Sequence, residues 1–185
     1  MQTALRLLVA QGYDGMSIEG VAAAAGVGKP TVYRRYPSKR ELVIAAVTSL
    51  AAALPDAPST SDIRADLLSY LAPAFGVFQS GVGFAMLSAL LVKERDDPAL
   101  MELFRANIVR PRMRVVSEIL RRAIASGELR ADVPIEAAVQ MLAGGIFARH
   151  VAGQPADAAW LRLVINTLWQ GLAVVSPADE SGRAG

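Results

Sequence analysis

The most informative part of this chain is residues 17–41, with the sequence SIEGVAAAAGVGKPTVYRRYPSKRE. Ser17 is suited to cap a helix, because its hydroxyl accepts a hydrogen bond from an otherwise unpaired backbone N–H. Gly26 is suited to end that helix, since glycine adopts the left-handed conformation without steric cost. A second short helix is then expected over residues 28–36. The stretch therefore predicts two short helices joined by a tight turn, which is a helix-turn-helix.

The two faces of the second predicted helix differ in chemistry. Val32 and Tyr36 are four residues apart and are expected to face inward. The first predicted helix supplies a small apolar face opposite them: Val21, Ala22 and Ala25. The outer face of the second helix is polar, basic and aromatic: Lys29, Thr31, Tyr33 and Arg34. That composition suits insertion into the major groove of DNA.

Several short motifs lie in and around this stretch. They are Gly12-Tyr13, Ser17, Val-Ala-x-x-Ala-Gly-Val at residues 21–27, Thr-Val-Tyr-Arg-Arg-Tyr-Pro-Ser-Lys at 31–39, and Glu41-Leu42. Together they resemble the DNA-binding domain of the TetR family of transcriptional regulators. With the helices that the rest of the sequence predicts, the resemblance indicates an all-α protein of about nine helices. In such a protein an N-terminal three-helix DNA-binding domain with a helix-turn-helix precedes a larger helical ligand-binding and dimerisation domain.

Two features depart from that family. Tyr36 stands where the family usually has phenylalanine, which is a mild change for an aromatic side chain at the edge of a core. The chain also opens at Met1, almost inside the first helix, where family members usually carry a basic arm. Either the chain is short at its start, or the protein lacks arm contacts to the minor groove. The alternative function is therefore a helical ligand-binding or protein-docking module with little operator affinity.

Charge is concentrated in the segment that is expected to face DNA. The whole chain of 185 residues has a net charge of only +2, but residues 1–45 hold six basic and three acidic residues. Their net charge is +3, which leaves −1 for the remainder. A positive potential on the predicted DNA-binding segment suits contacts with phosphates.

The composition excludes several other classes of protein. With no cysteine, the chain has no disulfide, no thiol catalysis and no cysteine metal site. Its apolar tracts, near residues 42–54 and 82–92, are shorter than the ~18 residues of a membrane helix. No signal peptide is visible, so we expect a cytoplasmic protein with no membrane partner. The hydrophobic content of 53% is better explained by a subunit interface or an internal cavity.

Helices are predicted nearly throughout, and no strand pattern is visible. The first ends at Gln11 before Gly12, and the fourth is capped by Ser38 and runs to about Ala53. Later helices are predicted over residues 62–79, up to Arg95, 97–126 with Asp97 as its N-cap and a kink at Pro111, 134–151 and 156–175. The predicted domains are residues 1–45 for DNA binding and 46–175 for ligand binding and dimerisation. Residues 176–185 are predicted to be a disordered tail.

The resemblance also implies particular DNA contacts. Tyr33 and Lys39, with Ser17 at its own helix start, are expected to contact phosphates. The expected reading face consists of Gly28, Lys29, Thr31 and Arg34. Lys29 or Arg34 is best suited to guanine.

The last two predicted helices carry residues for a subunit interface. The expected interface residues are Met141, Gly144, Gly145, Ala148, Leu161, Ile165, Leu168 and Trp169. From the residues alone, an ordinary monomer core explains them as well. The family resemblance implies instead that two such helices from each subunit form a four-helix bundle in a homodimer. That dimer would present two reading helices to a palindromic operator.

The middle helices carry bulky apolar residues that are candidates for an effector pocket. The expected walls are Phe75, Phe78, Met86 and Phe104, since aromatic and methionine side chains line adaptable apolar sites. Plain core packing is the competing interpretation. With few polar residues nearby, a small and mostly hydrophobic effector is expected, and the protein would then be a repressor released by its ligand.

The sequence gives little support for phosphate-loop, metal or catalytic sites. Residues 26–29 resemble a phosphate-binding loop, but Pro30 occupies its Ser/Thr position and a helix precedes it where a strand is needed. The single histidine, His150, has no cysteine or histidine companion for a metal site. No nucleophile, base and orienting acid can be assembled. We therefore expect no catalytic residue, no metal and no cofactor, and a protein that is not an enzyme.

Overall fold

The computed structural model describes residues 1–52 and 56–174. The α-helices are α1 (Gln2–Gly15), α2 (Ile18–Ala24), α3 (Lys29–Arg35), α4 (Lys39–Ala52), α5 (Ile63–Gln79), α6 (Val82–Glu94), α7 (Pro98–Phe104), α8 (Arg110–Ala125), α9 (Ile135–Val151) and α10 (Ala158–Leu172). A π-helical segment, Arg105–Val109, joins α7 to α8 without a break, so the described residues contain nine separate helices. The predicted all-α fold is confirmed.

Strand structure is almost absent from the part of the chain that is described. One isolated antiparallel bridge joins Leu129 to Ala173. In the same residues, no single helix is long and apolar enough to span a membrane, and α5 and α6 reach that length only when taken together. Two predictions lie outside the described residues: the end of the fourth helix at Ala53 and the tail of residues 176–185. The end predicted for the last helix at Val175 was wrong. The backbone is extended at Ala173, which bridges to Leu129, so α10 ends at Leu172.

Side-chain caps set the start of several helices. Ser17 and Asp97 accept hydrogen bonds from backbone N–H groups three residues further on, at 3.0 and 3.3 Å, as the sequence predicted. The start of the last helix at Ala156 was wrong. Asp157 accepts a hydrogen bond of 2.8 Å from the backbone N–H of Trp160, so α10 begins at Ala158.

The long helix over residues 97–126 was predicted to kink at Pro111. The structure places the disturbance just before that residue, as the π-helical segment Arg105–Val109. In it the backbone N–H of Arg110 pairs with the carbonyl of Arg105, five residues earlier rather than four. Because Pro111 has no N–H to donate, a wider turn next to it accommodates the missing hydrogen bond.

The described residues form two compact units. The first contains the described residues of Met1–Pro55 together with Gly76–Arg112. Its largest fully buried side chains are Leu8, Met16, Leu42, Leu90 and Leu100. The core of this unit extends across the predicted domain boundary after residue 45, because α6 and α7 pack into the same cluster as α1–α4. The functional division at that boundary stays a prediction.

The second unit contains the described residues of Asp56–Phe75 together with Met113–Gly185. Its largest fully buried side chains are Leu67, Ile119, Leu120, Leu129, Leu142, Leu161 and Ile165. The rings of Phe75 and Trp160 lie 6.1 Å apart. Gly145 allows the Trp160 ring to approach α9, since a Cβ at residue 145 would lie only 3.0 Å from the ring.

One carboxylate, that of Asp66, is buried in this second unit and is 2% exposed. It accepts hydrogen bonds from the Thr60 N–H at 2.8 Å, the Thr60 hydroxyl at 2.7 Å and Arg122 Nη2 at 2.9 Å. Arg122 also donates to the carbonyl of Thr60 at 2.7 Å and to that of Pro58 at 3.3 Å. Burial acts to raise the pKa of Asp66, but the hydrogen bonds from Thr60 and Arg122 outweigh it and lower the pKa below its ordinary value. This network holds the loop before α5 against α8.

Candidate nucleic-acid interface

The turn between α2 and α3 is built around Gly26. Its φ is 67°, in the left-handed region that glycine tolerates. The Gly26 N–H donates to the carbonyl of Ala23 at 3.2 Å, and the Val27 N–H donates to that of Ala22 at 3.0 Å. These two bonds close the last turn of α2. The helix therefore ends before Ala25, which is exposed, and the inward orientation predicted for Ala25 was wrong.

The inner face of the helix-turn-helix is confirmed by burial. Val32 is 8% exposed and belongs to one core cluster with Ile18, Val21 and Ala22. Ala22 is 1% exposed, and its small side chain allows α2 and α3 to approach closely. Tyr36, at the end of α3, is half-buried against the same cluster.

The outer face of α3 carries the residues that were predicted to meet DNA. Gly28 precedes the first residue of the helix, and all of the following are exposed: Gly28, Lys29, Thr31, Tyr33 and Arg34. Arg35 is exposed as well. The structure thus brings four of these predicted residues onto one seven-residue helix, with Gly28 at its N-terminal cap.

Tyr33 has a partner that the sequence did not indicate. Its hydroxyl donates a hydrogen bond of 2.6 Å to Glu19 Oε1 on α2. This bond raises the pKa of Tyr33 and lowers the pKa of Glu19. Lys29 lowers the pKa of Glu19 further through its charge. The two residues lie 14 positions apart on different helices, so no spacing rule could have paired them.

Lys39, predicted to contact phosphate, is the first residue of α4. Ser38 caps this helix by accepting a hydrogen bond of 3.2 Å from the Glu41 N–H. Lys39 Nζ donates to the carbonyl of Asp14 at 3.2 Å and lies 4.7 Å from the centroid of the Tyr13 ring. An ammonium group has three donors, so donors remain for a phosphate.

The start of α4 is also tied to the start of α7. The Arg40 guanidinium donates to both carboxylate oxygens of Asp97, at 2.8 to 3.0 Å. Such forked pairs are the more specific kind of ion pair because two parallel bonds fix the geometry. Asp97 was predicted only as a helix cap, and Arg40 was not singled out.

The predicted interface residues fall into two groups. Met141, Gly144 and Ala148 are exposed on α9, and Leu168 is half-buried on α10. Leu161, Ile165 and Trp169 are 1%, 1% and 2% exposed, so they belong to the core of their own chain and offer no surface to a partner. Gly145 faces the Trp160 ring of its own chain. The exposed side of α9 carries two further large apolar residues that the sequence analysis did not select, Phe147 and Val151.

The predicted effector-pocket residues also separate. Met86 and Phe104 are 5% and 7% exposed in the core cluster of the first unit. Phe78 stacks edge-on against Phe84 in that unit, with ring centroids 5.0 Å apart. Phe75 packs near Trp160 in the second unit. One surface groove of about 410 Å³ lies between α1 and α6, and another of about 210 Å³ lies between α5 and α10. None of these four residues lines either groove.

Comparisons with known proteins found matches over most of the chain. A family model for bacterial regulatory proteins of the tetR family matches residues 1–46, and a model for the tetracyclin repressor-like C-terminal domain matches residues 57–168. An HTH-type transcriptional regulator of Mycobacterium tuberculosis is 33% identical over 147 residues, covering 80% of this chain and 72% of the relative. The DNA-binding transcriptional repressor TetR of Mycobacteroides abscessus is 29% identical over 170 residues, covering 91% and 89%. The regulator FadR from Bacillus subtilis, solved in complex with stearoyl-CoA, has a TM-score of 0.74 at 19% identity, covering 92% of this chain and 96% of that one.

An N-terminal helix-turn-helix with an exposed basic face, within an all-α chain, defines a DNA-binding transcriptional regulator. The two family models together span most of the chain, and the chain belongs to the TetR family. The resemblance inferred from residues 12–42 is thereby confirmed. The matched families and relatives are transcriptional regulators rather than enzymes.

Proposed function

We propose that this regulator is a cytoplasmic homodimeric repressor that binds a palindromic operator and is released by a small ligand. The observation that carries the DNA-binding part is the outer face of α3, where exposed basic, hydroxyl and aromatic side chains stand on a helix anchored by Val32. A single helix reads only a few base pairs. A twofold dimer presents two such helices to successive major grooves, which extends the site that is read.

The contacts divide by chemistry. Lys29 and Arg34, with Thr31 and the backbone at Gly28, are proposed to meet base edges, because they lie on the exposed face of α3. Tyr33, Lys39 and Ser17 are proposed to meet phosphates. Ser17 Oγ already accepts the capping bond from Gly20, which leaves its hydroxyl proton for a phosphate oxygen.

Binding is tested first with the DNA upstream of the protein's own gene. Fluorescence anisotropy with that duplex, with random duplex as competitor and at several salt concentrations, separates specific from non-specific affinity. A repressor of this kind prefers the upstream duplex. If no duplex is bound at low salt, the alternative of a helical ligand-binding or docking module replaces the proposal.

Lys39→Met should weaken binding to the upstream duplex and to random duplex by the same factor. It should also reduce the slope of log affinity against log salt by roughly one unit, because one phosphate contact is lost. Methionine keeps an unbranched side chain beside the Tyr13 ring, so the local packing changes little. Arg121→Met, at an exposed position on α8, removes the same charge and should leave the affinities and the salt slope unchanged. A change in base preference caused by Lys39→Met would contradict a phosphate contact.

The proposed dimer uses the exposed side of α9. Met141 is 65% and Val151 is 85% exposed, and Gly144 and Ala148 lie between them at helical spacing. Leu163, on the neighbouring α10, is 62% exposed. Large apolar side chains that are this exposed on neighbouring helices are candidates for contact with a partner. Small residues between the large ones allow a second helix to approach closely, as a four-helix bundle requires.

The effector is proposed to be small and mostly hydrophobic. The support is the apolar composition of α5–α7. Phe78, Met86 and Phe104 belong to the first compact unit and remain proposed contacts there. Phe75 belongs to the second unit and stays a separate prediction. Pocket formation at buried residues such as Met86 and Phe104 requires them to repack on binding. FadR, which shares this fold, was solved with stearoyl-CoA, whose acyl chain is a hydrophobic group. Long-chain fatty acids and flat aromatic compounds are therefore the first probes.

A compound that releases the repressor should stabilise the free protein in a thermal-shift assay and bind more weakly when the upstream duplex is present. The two effects are linked, because the factor by which ligand weakens DNA binding must equal the factor by which DNA weakens ligand binding. Ligand affinity measured by titration with and without saturating duplex gives that factor directly. A compound that binds equally well in both cases occupies a site that does not regulate.

A further inference from the structure

We infer that Glu19 competes with DNA phosphate for the hydroxyl proton of Tyr33 and thereby limits the affinity of this protein for DNA. The inference rests on the proposed DNA-binding function. Its basis is the hydrogen bond of 2.6 Å from the Tyr33 hydroxyl to Glu19 Oε1, made at the surface between α2 and α3. Tyr33 is 42% exposed, so the contact lies where the duplex is proposed to approach.

The competition follows from the inventory of donors. A tyrosine hydroxyl has one proton, and the oxygens of an ionised carboxylate and of a phosphate diester only accept. Tyr33 therefore cannot donate to Glu19 and to the DNA backbone at the same time. To contact phosphate, it must first give up the bond to Glu19.

Exchanging the bond to Glu19 for a bond to phosphate changes the free energy of binding little. Both bonds join a neutral hydroxyl to an anionic oxygen, and bonds of that kind are similar in strength. The bond to phosphate replaces an equivalent bond, and the freed carboxylate then stands beside another anion. The contribution of the Tyr33 hydroxyl to DNA binding is consequently almost cancelled while Glu19 is present.

Glu19 is held in its ionised form by its surroundings. It lies in the first turn of α2, where the helix dipole favours a negative charge. The hydrogen bond from Tyr33 has the largest effect in lowering the pKa of Glu19, and the charge of Lys29 lowers that pKa further. A carboxylate on this basic surface therefore reduces the positive potential that the duplex meets.

The test is a double-mutant cycle of Glu19→Ala and Tyr33→Phe, with binding measured on the upstream and random duplexes. In the wild-type background, Tyr33→Phe should weaken binding by at most about twofold. Glu19→Ala should tighten binding to both duplexes by roughly three- to tenfold, since it removes a competitor and a like charge. In the Glu19→Ala background, Tyr33→Phe should weaken binding by about fivefold. Glu19→Gln, which keeps an acceptor without the charge, should fall between wild type and Glu19→Ala.

Glu41→Ala is the matched control. Glu41 is exposed in the first turn of α4. Like Glu19→Ala, Glu41→Ala therefore removes one negative charge from the first turn of a helix. It should not alter the effect of Tyr33→Phe. Far-UV circular dichroism of every variant checks that the helices are intact.

The contact can also be verified without DNA. With ¹³C-labelled tyrosine, NMR should show that Glu19→Ala lowers the pKa of Tyr33 towards its ordinary value, because the bond to Glu19 raises it. The inference is overturned if Glu19→Ala weakens DNA binding, or if Tyr33→Phe has the same effect in both backgrounds. Either result on a protein that binds DNA leaves the proposed function intact, whereas absence of DNA binding by every variant contradicts the proposed function itself.

Discussion

Replacing Gly144 with glutamate should split the proposed homodimer into monomers and weaken binding to its proposed operator by at least about 100-fold. Gly144 lies on the exposed side of α9, and a Cβ placed there meets nothing within 4 Å in the single chain. Within one subunit the substitution is therefore tolerated. It even favours the helix, because glycine is a poorer helix former than glutamate by roughly 0.5 kcal/mol.

The effect arises only when two subunits meet. In a twofold interface the same patch is used by both copies, so two carboxylates are brought into the contact together. An uncompensated charge at such a contact costs roughly 3–5 kcal/mol. A monomer offers one reading helix instead of two, so the loss of the dimer is also a loss of operator affinity.

Light scattering after size-exclusion chromatography at micromolar concentration gives the mass, and anisotropy with the upstream duplex gives the affinity. Ala65→Glu is the matched control, since it adds a carboxylate at an exposed position near the start of α5. It should remain dimeric and bind normally. A Gly144→Glu variant that stayed dimeric would show that the exposed side of α9 is not part of the interface. A wild-type monomer that bound a palindrome tightly would contradict the dimer altogether.

Asp66→Asn should lower the melting temperature by roughly 10 °C. The carboxylate accepts three hydrogen bonds, two of them at Oδ2 from the Thr60 N–H and Arg122. An asparagine amide can keep its oxygen for the Thr60 N–H and Arg122, but its NH₂ group then requires the Thr60 hydroxyl to turn from donor to acceptor. It also leaves the Arg122 guanidinium without its counter-charge. The loop before α5 would lose its attachment to α8 as a result.

The destabilisation should depend on pH in a defined direction. The folded-state pKa of Asp66 lies below its ordinary value, so its contribution to stability is present above the unfolded pKa, near 4. That contribution is lost as the pH falls through the folded pKa. The difference in melting temperature between wild type and Asp66→Asn should therefore be constant from about pH 5 to pH 8 and shrink below about pH 4.

Asp132→Asn provides the control for this network. Asp132 pairs with Arg130 at 3.2 Å, but its side chain is 80% exposed. Surface pairs of that kind contribute little, so the melting temperature should hardly change. An equal loss in both variants, or a difference for Asp66→Asn that persists unchanged at pH 3, would show that the buried carboxylate is not what stabilises the loop.

Features that depend on neighbours a few positions away could be predicted from the sequence alone. Ser17 and Asp97 cap helices through backbone groups three residues further on, and Gly26 ends α2 because of its own backbone freedom. The burial of Val32 follows from helical spacing, as does the exposure of Lys29 and Arg34 on the opposite side of α3. For the same reason, the helix-turn-helix and the family could be inferred from residues 12–42 alone.

The sequence could not show which apolar side of a helix faces its own chain, because that depends on how the helices pack. The sequence marked Leu161, Ile165 and Trp169 as a broad apolar face, but that pattern is the same whether the face packs inside one subunit or against another. Folding assigns these three to the core and leaves Met141 and Val151 exposed on the neighbouring helix. The pairings of Glu19 with Tyr33, Arg40 with Asp97 and Asp66 with Arg122 span 14, 57 and 56 residues. A charge or hydroxyl on a helix surface has many possible partners at such separations, and only the packing of the helices selects one.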